Sequence, residues 1–335
     1  MADYRLERLN DKNEEKWEDF NKNSIEGSFF HSLRWTQIAE KSSDINRQYF
    51  LLYKNEEVFG IFPFIEDNIH FFRGLRIARD PKILPAILKD YSDPLAMHYV
   101  LRYLQKVTID GKKISFIRFS TLHEKTLNSI TTHPLLPWHT EGGMVLRLSE
   151  FPPEKIWNSF SAKKGERKFI RRFDKDGFVL TEANSPDDLE RFYKYYEENI
   201  KHIGGRLQPF SRFSDLWNSM SDEVRITLLS KGSVFAGGML QLMDSPRKTL
   251  HTMYLSLNRD LPTNYHPPYY LWWEAINWAW ENHYEKVSLG GEHLDENNPR
   301  YRMMYDFGAR FEPTYSAMIP LTKIFTVSAK WKWGK

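Results

Sequence analysis

Three strand-like runs follow one another closely at 225–230, 234–243 and 249–257. A proline then opens an aromatic helix, YYLWWEAINWAWENH, which leads into a fourth run at 286–289. Together they read as an antiparallel strand group, a helix and then another strand. The first half shows the same rhythm without an exact repeat. Helices are expected at 13–20 and 32–41, and strands at 48–53 and 58–65 around the turn 54–57. Gly60 and Pro63 mark the second strand as bulged or at an edge. A helix at 93–107 and a strand at 113–119 complete that half.

A loose stretch at 123–143, with Pro134 and Pro137, breaks the pattern and sets a domain boundary. The expected domains are 1–143 and 144–335. The second restarts with a strand at 144–148, followed by one long basic helix from Pro152 or Pro153 to about Lys175. A strand at 178–182 and helices at 186–202 and 210–220 come next.

Composition narrows the function classes. The 335 residues carry 47 basic and 44 acidic side chains, so any polyanion contact must come from a local patch. Cysteine is absent, which excludes disulfides, thiolate metal sites and cysteine nucleophiles. The charged opening MADYRLERLNDKNEEKWEDF has no apolar core, and no run approaches a membrane span, so a cytoplasmic chain without a transmembrane segment is expected. Neither GxGxxG, GxxxxGK[ST], GxSxG nor HExxH occurs, which removes the simplest dinucleotide, NTPase, hydrolase and zinc-protease readings.

Four segments carry candidate chemistry. Between residues 163 and 175, Lys163, Lys164, Arg167, Lys168, Arg171, Arg172 and Lys175 form a basic run. On a helix it makes a stripe able to hold phosphates, or simply a solvated face. Gly237 and Gly238 interrupt an apolar strand, either to accept a ligand's backbone or as an ordinary bulge. His266 precedes the aromatic helix, whose first-turn N–H groups around Tyr269 and Tyr270 would bind an anion or carbonyl oxygen. His266 itself is a proton carrier or a structural histidine. In the loop after Gly290 and Gly291, Glu292 is the best general-base candidate, with Arg300 and Tyr301 placed to orient a substrate. Asp295, Glu296 and Asn298 would alternatively cap the next helix. No metal site is expected, because His293 and Asp295 lack a third ligand at matching spacing.

In their order, these pieces resemble the FemAB/FemX-like transferases and relatives with an acetyltransferase-like (GNAT) fold. The resemblance rests on FHSLRW ending in Trp35, on Ser161, Lys163, Lys164, Ile170, Arg171, Arg172 and Gly177, and on VFAGGMLQL followed by HTMYLSLN. It extends to Ala275 and Ala279 of the aromatic helix, then to VSLGG and YDFGARFEP. It implies an α+β fold of two tandem GNAT-like domains, each a mixed, mostly antiparallel sheet flanked by helices. It also implies an N-acyltransferase that moves an acyl or aminoacyl group from acyl-CoA or aminoacyl-tRNA to a small-molecule or peptide amine, with no tightly bound cofactor. Glu292 would be the base, N–H groups near Tyr269 the oxyanion donors, and the basic helix the phosphate anchor. Two departures favour generic acyl transfer over a muropeptide acceptor. Met303-Met304-Tyr305-Asp306 stand where the family usually carries a Lys before FG, and Gln37 and Gln208 stand where it has basic residues. The alternatives are a catalytically inactive GNAT-like module binding tRNA or another polyanion, and a structural or interaction protein whose Trp331 and Trp333, in the tail AKWKWGK, dock a partner or an anionic membrane surface. The oligomeric state is left open.

Overall fold

The computed structural model describes residues 3–41, 46–77, 85–109, 111–123, 136–137, 141–160, 165–292 and 295–327. The chain divides into two compact units, one of residues 1–142 with 313–335 and one of residues 143–312. Strands are numbered in chain order. The first nine are β1 (Tyr4–Arg8), β2 (Arg47–Lys54), β3 (Glu57–Ile69), β4 (Phe72–Ile77), β5 (Ile87–Leu88), β6 (Thr108–Ile109), β7 (Lys112–Lys113), β8 (Phe116–Thr121) and β9 (Leu136–Pro137). The remainder are β10 (Glu141–Arg147), β11 (Val179–Glu182), β12 (Val224–Lys231), β13 (Val234–Asp244), β14 (Thr249–Leu257), β15 (Lys286–Glu292) and β16 (Arg310–Pro320).

In the first unit the strand order is β1-β2-β3-β4-β8-β16. All the neighbours are antiparallel except β4 and β8, which run parallel after the crossover helix Pro94–Leu104. That helix starts where Asp93 accepts the Leu95 N–H at 3.0 Å, with Pro94 in its first turn. β3 is an interior strand bulged near Gly60. Pro63 is tolerated there because one neighbour changes from β5, at Gly60–Ile61, to β4, from Phe64 onward. Trp17 and Trp35 are fully buried, and Trp17 both stacks on Tyr49 and donates to the His31 carbonyl at 2.8 Å.

Residues 313–335 were expected in the second domain, but they complete the first. β16 pairs antiparallel with β8 from Tyr315↔Thr121 to Pro320↔Phe116. Local pattern could not show this, because the pairing spans almost two hundred residues of sequence.

In the second unit the order is β10-β15-β14-β13-β12-β11. The strands from β11 to β14 form an antiparallel meander, and β14 and β15 run parallel on either side of the crossover helix Pro267–Glu281. Both units thus share one connectivity, a meander closed by a helical crossover to a parallel strand. The helices Pro186–Ile203 and Pro267–Glu281 cover opposite faces of β13, because Phe192 meets Gly238 while Pro267 and Leu271 meet the adjacent Gly237.

The expected long basic helix is two helices, Pro153–Ser159 and Glu166–Lys175. Gly165 precedes the second with φ +83, a left-handed conformation that ends helical continuity and is cheap only for glycine. No helix among the described residues is long and apolar enough to cross a membrane.

Candidate functional site

The second unit's sheet opens between its two parallel strands. β14 and β15 are in register for only three residue pairs, from Thr249↔Lys286 to His251↔Ser288, although both continue beyond that point. Thr252 donates from Oγ1 to the Ser288 carbonyl at 3.1 Å where the ladder stops. One residue further, Met253 is the extra residue of a bulge, because Leu240 faces Tyr254 while Gln241 faces Thr252. A parallel pair that stops while both strands run on leaves backbone donors and acceptors facing a gap.

Gly290 lies inside β15, not in a turn that ends it, and has φ +121. A Cβ there would stand 3.0 Å from Nη2 of Arg300, so the bare backbone admits the guanidinium. Arg300 and Gly291 are exposed. The backbone of Glu292 ends β15, while its side chain lies outside the described residues, as do His293 and Leu294. Tyr301 is only 7% exposed and packs in the core with Met304 and Phe307, so it is a packing residue and cannot orient a substrate as expected. The helix Pro299–Asp306 that carries it is capped by Asn298, whose side chain accepts the Arg300 N–H at 2.9 Å.

At the aromatic helix the expected oxyanion donors are missing. Pro267 and Pro268 occupy its first two positions and have no N–H, and the Tyr269 N–H donates to the His266 carbonyl at 3.1 Å. The Tyr269 hydroxyl is pushed above the usual tyrosine range by burial, and further by the negative charges of Glu166 and Asp306. It therefore stays protonated and can donate. The His266 ring lies 4.1 Å from that of Phe169, and burial pulls its pKa down, so it is neutral at pH 7 and can accept a proton. Tyr270 faces inward instead: it is buried, and its hydroxyl donates to Asp174 at 2.8 Å, linking the aromatic and basic helices.

Ile170 and Phe173 anchor the basic helix in the core, while Lys168, Arg171 and Lys175 face solvent. A concavity is lined by Gly165, Arg167, Lys168, Arg171, Arg172, Lys175 and Asp176. Arg167 lines it with two of its nitrogens already engaged. Its Nε and Nη2 donate to the Trp157 and Asn158 carbonyls at 2.9 and 3.1 Å, satisfying the last turn of the preceding helix. Arg171 lies over the Trp157 ring at 5.1 Å. Lys163 and Lys164, with Ser161, lie outside the described residues. The sequence does not single out Glu166, which lies within the basic run. It is 1% exposed, and its Oε2 has no hydrogen-bond partner among the described residues. Nothing in the local pattern distinguishes it from a solvated helix-start glutamate.

Gly237 and Gly238 serve packing. A Cβ on Gly237 would stand 3.2 Å from Pro267 Cβ, and one on Gly238 would stand 2.9 Å from Phe192 Cδ2. Both residues are buried, and the helices on the two faces fill the space a ligand backbone would need.

Residues 161–302 match the acetyltransferase (GNAT) domain family. The UDP-N-acetylmuramoylpentapeptide-lysine N(6)-alanyltransferase of Weissella viridescens is 27% identical over 150 residues, 44% of this chain and 43% of the relative. The match thus spans less than half the length of that curated protein. Among solved structures, FemX superposes with a TM-score of 0.70 at 10% identity, covering 96% of this chain and 99% of the other. A tandem GNAT protein from the clavulanic acid biosynthesis pathway superposes with a TM-score of 0.57 at 8% identity, covering 96% and 99%. These likenesses establish the architecture: two GNAT-like units in tandem, each a mixed sheet flanked by helices.

Proposed function

We propose that this FemX-like chain, whose second unit is a domain of the acyltransferase (GNAT) type, transfers an aminoacyl or acyl group to the primary amine of a peptidoglycan precursor. The observation that carries the reading is the parted pair β14 and β15 within the segment that matches the GNAT family. The gap offers backbone groups to an extended donor arm, and Lys168, Arg171 and Lys175 offer charge to its phosphates. The Weissella relative is named for alanyl transfer to a lysine N6, which supports an aminoacyl donor and an amine acceptor. A cytoplasmic setting is part of the reading, since acyl-CoA and charged tRNA are made there.

An alkylammonium must lose a proton before its nitrogen can attack. Glu292 takes that proton, and the free amine adds to the donor carbonyl. The Tyr269 hydroxyl donates to the oxyanion as the carbonyl π bond opens. The tetrahedral nitrogen then gives its second proton to neutral His266, which passes it to the departing thiolate or ribose oxygen as that bond breaks. One proton goes to solvent and one leaves with the donor, so the amide forms with atoms and charge balanced.

The test presents labelled acyl-CoA and labelled aminoacyl-tRNA in parallel to the chain and a lysine-containing muramoyl peptide. Label appearing as amide on the lysine from either donor is the expected result, and its source identifies the donor. Donor that binds without transferring label to any primary amine would overturn the reading and leave an inactive binding module.

A further inference from the structure

The core-facing stripe of the helix Glu166–Lys175 runs through positions 166, 170 and 173. Ile170 and Phe173 fill two of them, as packing requires, but the first is Glu166, which is as buried as they are. Packing alone would put an aliphatic residue there. The carboxylate Oε2 is closed to solvent and has no hydrogen-bond partner among the described residues. A buried carboxylate is ordinarily paired or hydrogen-bonded, because taking it out of water is costly. Acyl transfer as proposed gives this one no task.

The cations of the same helix are used elsewhere. Two nitrogens of Arg167 hold carbonyls of the preceding helix, and Lys168 and Arg171 line the basic concavity. The surroundings of Glu166 are aromatic instead. Phe169, one turn further along the helix, stands 5.5 Å from Tyr269, whose ring lies 5.9 Å from that of Phe307. The charges of Glu166 and Asp306 both reach the Tyr269 hydroxyl. Aromatic rings beside a desolvated carboxylate suit a compact cation, since the ring faces attract it and the carboxylate supplies the counter-charge. An anion would be repelled here, and a neutral ligand would leave the carboxylate unpaired.

We propose that Glu166 binds the ammonium group of the acceptor as its counter-ion, and so selects a primary amine over an apolar side chain of similar length. The identity of the cation rests on the acyl-transfer reading, whereas its binding can be measured without turnover. The same charge burdens the free chain. A buried carboxylate without a partner destabilises the fold, so an apolar side chain of similar shape should stabilise it, and a glutamate kept for structure would do the opposite.

The experiment is calorimetric titration of the full chain with Nα-acetyl-lysine methylamide and with the norleucine analogue, which lacks only the ammonium group. Wild type should prefer the lysine peptide by at least about tenfold, and both E166Q and E166M should lose that preference. The melting temperature of E166M should rise by about 2–4 °C. Equal or absent binding of the two peptides by the wild type, or a preference that either variant retains, would overturn the proposal. So would a lowered melting temperature of E166M, which would make Glu166 a structural residue. A wild type that prefers the lysine peptide yet transfers no label to it would support the cation site while sinking the acyl-transfer reading.

Discussion

The ring of Phe192 rests on the bare Cα of Gly238, leaving 2.9 Å between its Cδ2 and the place a Cβ would occupy. The carbonyl oxygen of Thr227 stands closer still, at 2.7 Å. Neither the central strand nor the covering helix can move away without opening the core.

Gly238→Ala should therefore destabilise the second unit by about 1–3 kcal/mol, the usual cost of overpacking. Gly237→Ala should cost less, since its nearest clash is 3.0 Å and involves the Ser256 carbonyl. Urea unfolding measures both. Loss of donor affinity with unchanged stability would instead return the glycines to the ligand site.

The Asp93 carboxylate accepts from Lys54 at 2.6 Å, from the Leu95 N–H at 3.0 Å and from the Tyr4 hydroxyl. Burial pushes its pKa up, but these hydrogen bonds outweigh it and hold the group below the usual carboxylate range. A lowered folded pKa contributes stability that is present above about pH 4 and is lost as pH falls through the folded value. Asp93→Asn keeps a capping oxygen, so at pH 7 it should cost only about 0.5–1.5 kcal/mol, through the lost charge on the hydrogen bond to Lys54. It should also flatten the stability curve below about pH 4, as followed by denaturant titrations at several pH values. An unchanged acid limb would show that Asp93 does not titrate this way.

His266 is held neutral by burial. The acid limb of kcat against pH should accordingly lie below about 6.5, the ordinary histidine value. His266→Gln should remove that limb and lower kcat by about two orders of magnitude. A limb that persists in the variant belongs to another group.

Glu292→Gln should lower kcat by about two to four orders of magnitude with little change in KM, the pattern for loss of a general base. Single-turnover rates from preloaded donor measure the chemical step directly. A rate near that of the wild type would remove Glu292 from the mechanism.

Local signals made the second half of the sheet legible. Turn residues separate β12, β13 and β14, and two prolines announce the helix before β15. The same two prolines also contained the correction to the oxyanion site, because a first turn that lacks two N–H groups has little to offer an anion. Gly165 lies within the charge run, where the long helix was expected to continue, and its left-handed φ marks the break. Tyr301 and Gly238 were misread for a shared reason. A sequence shows that a residue is unusual for its surroundings but not which neighbours from distant elements fill the space around it. Arg167 was counted as free charge because capping of another helix's carbonyls leaves no periodic trace.

The return of residues 313–320 to the first unit reverses the usual order of completion during synthesis. Phe116 waits at the edge of β8 for Met318 and Phe325, which the ribosome adds some two hundred residues later. The unit that emerges first must stay open along that edge while the second unit, contiguous in sequence, is already able to close. Vectorial synthesis thus leaves the first unit's unpaired strand exposed longest, a place for a chaperone to bind and for nascent chains to pair wrongly.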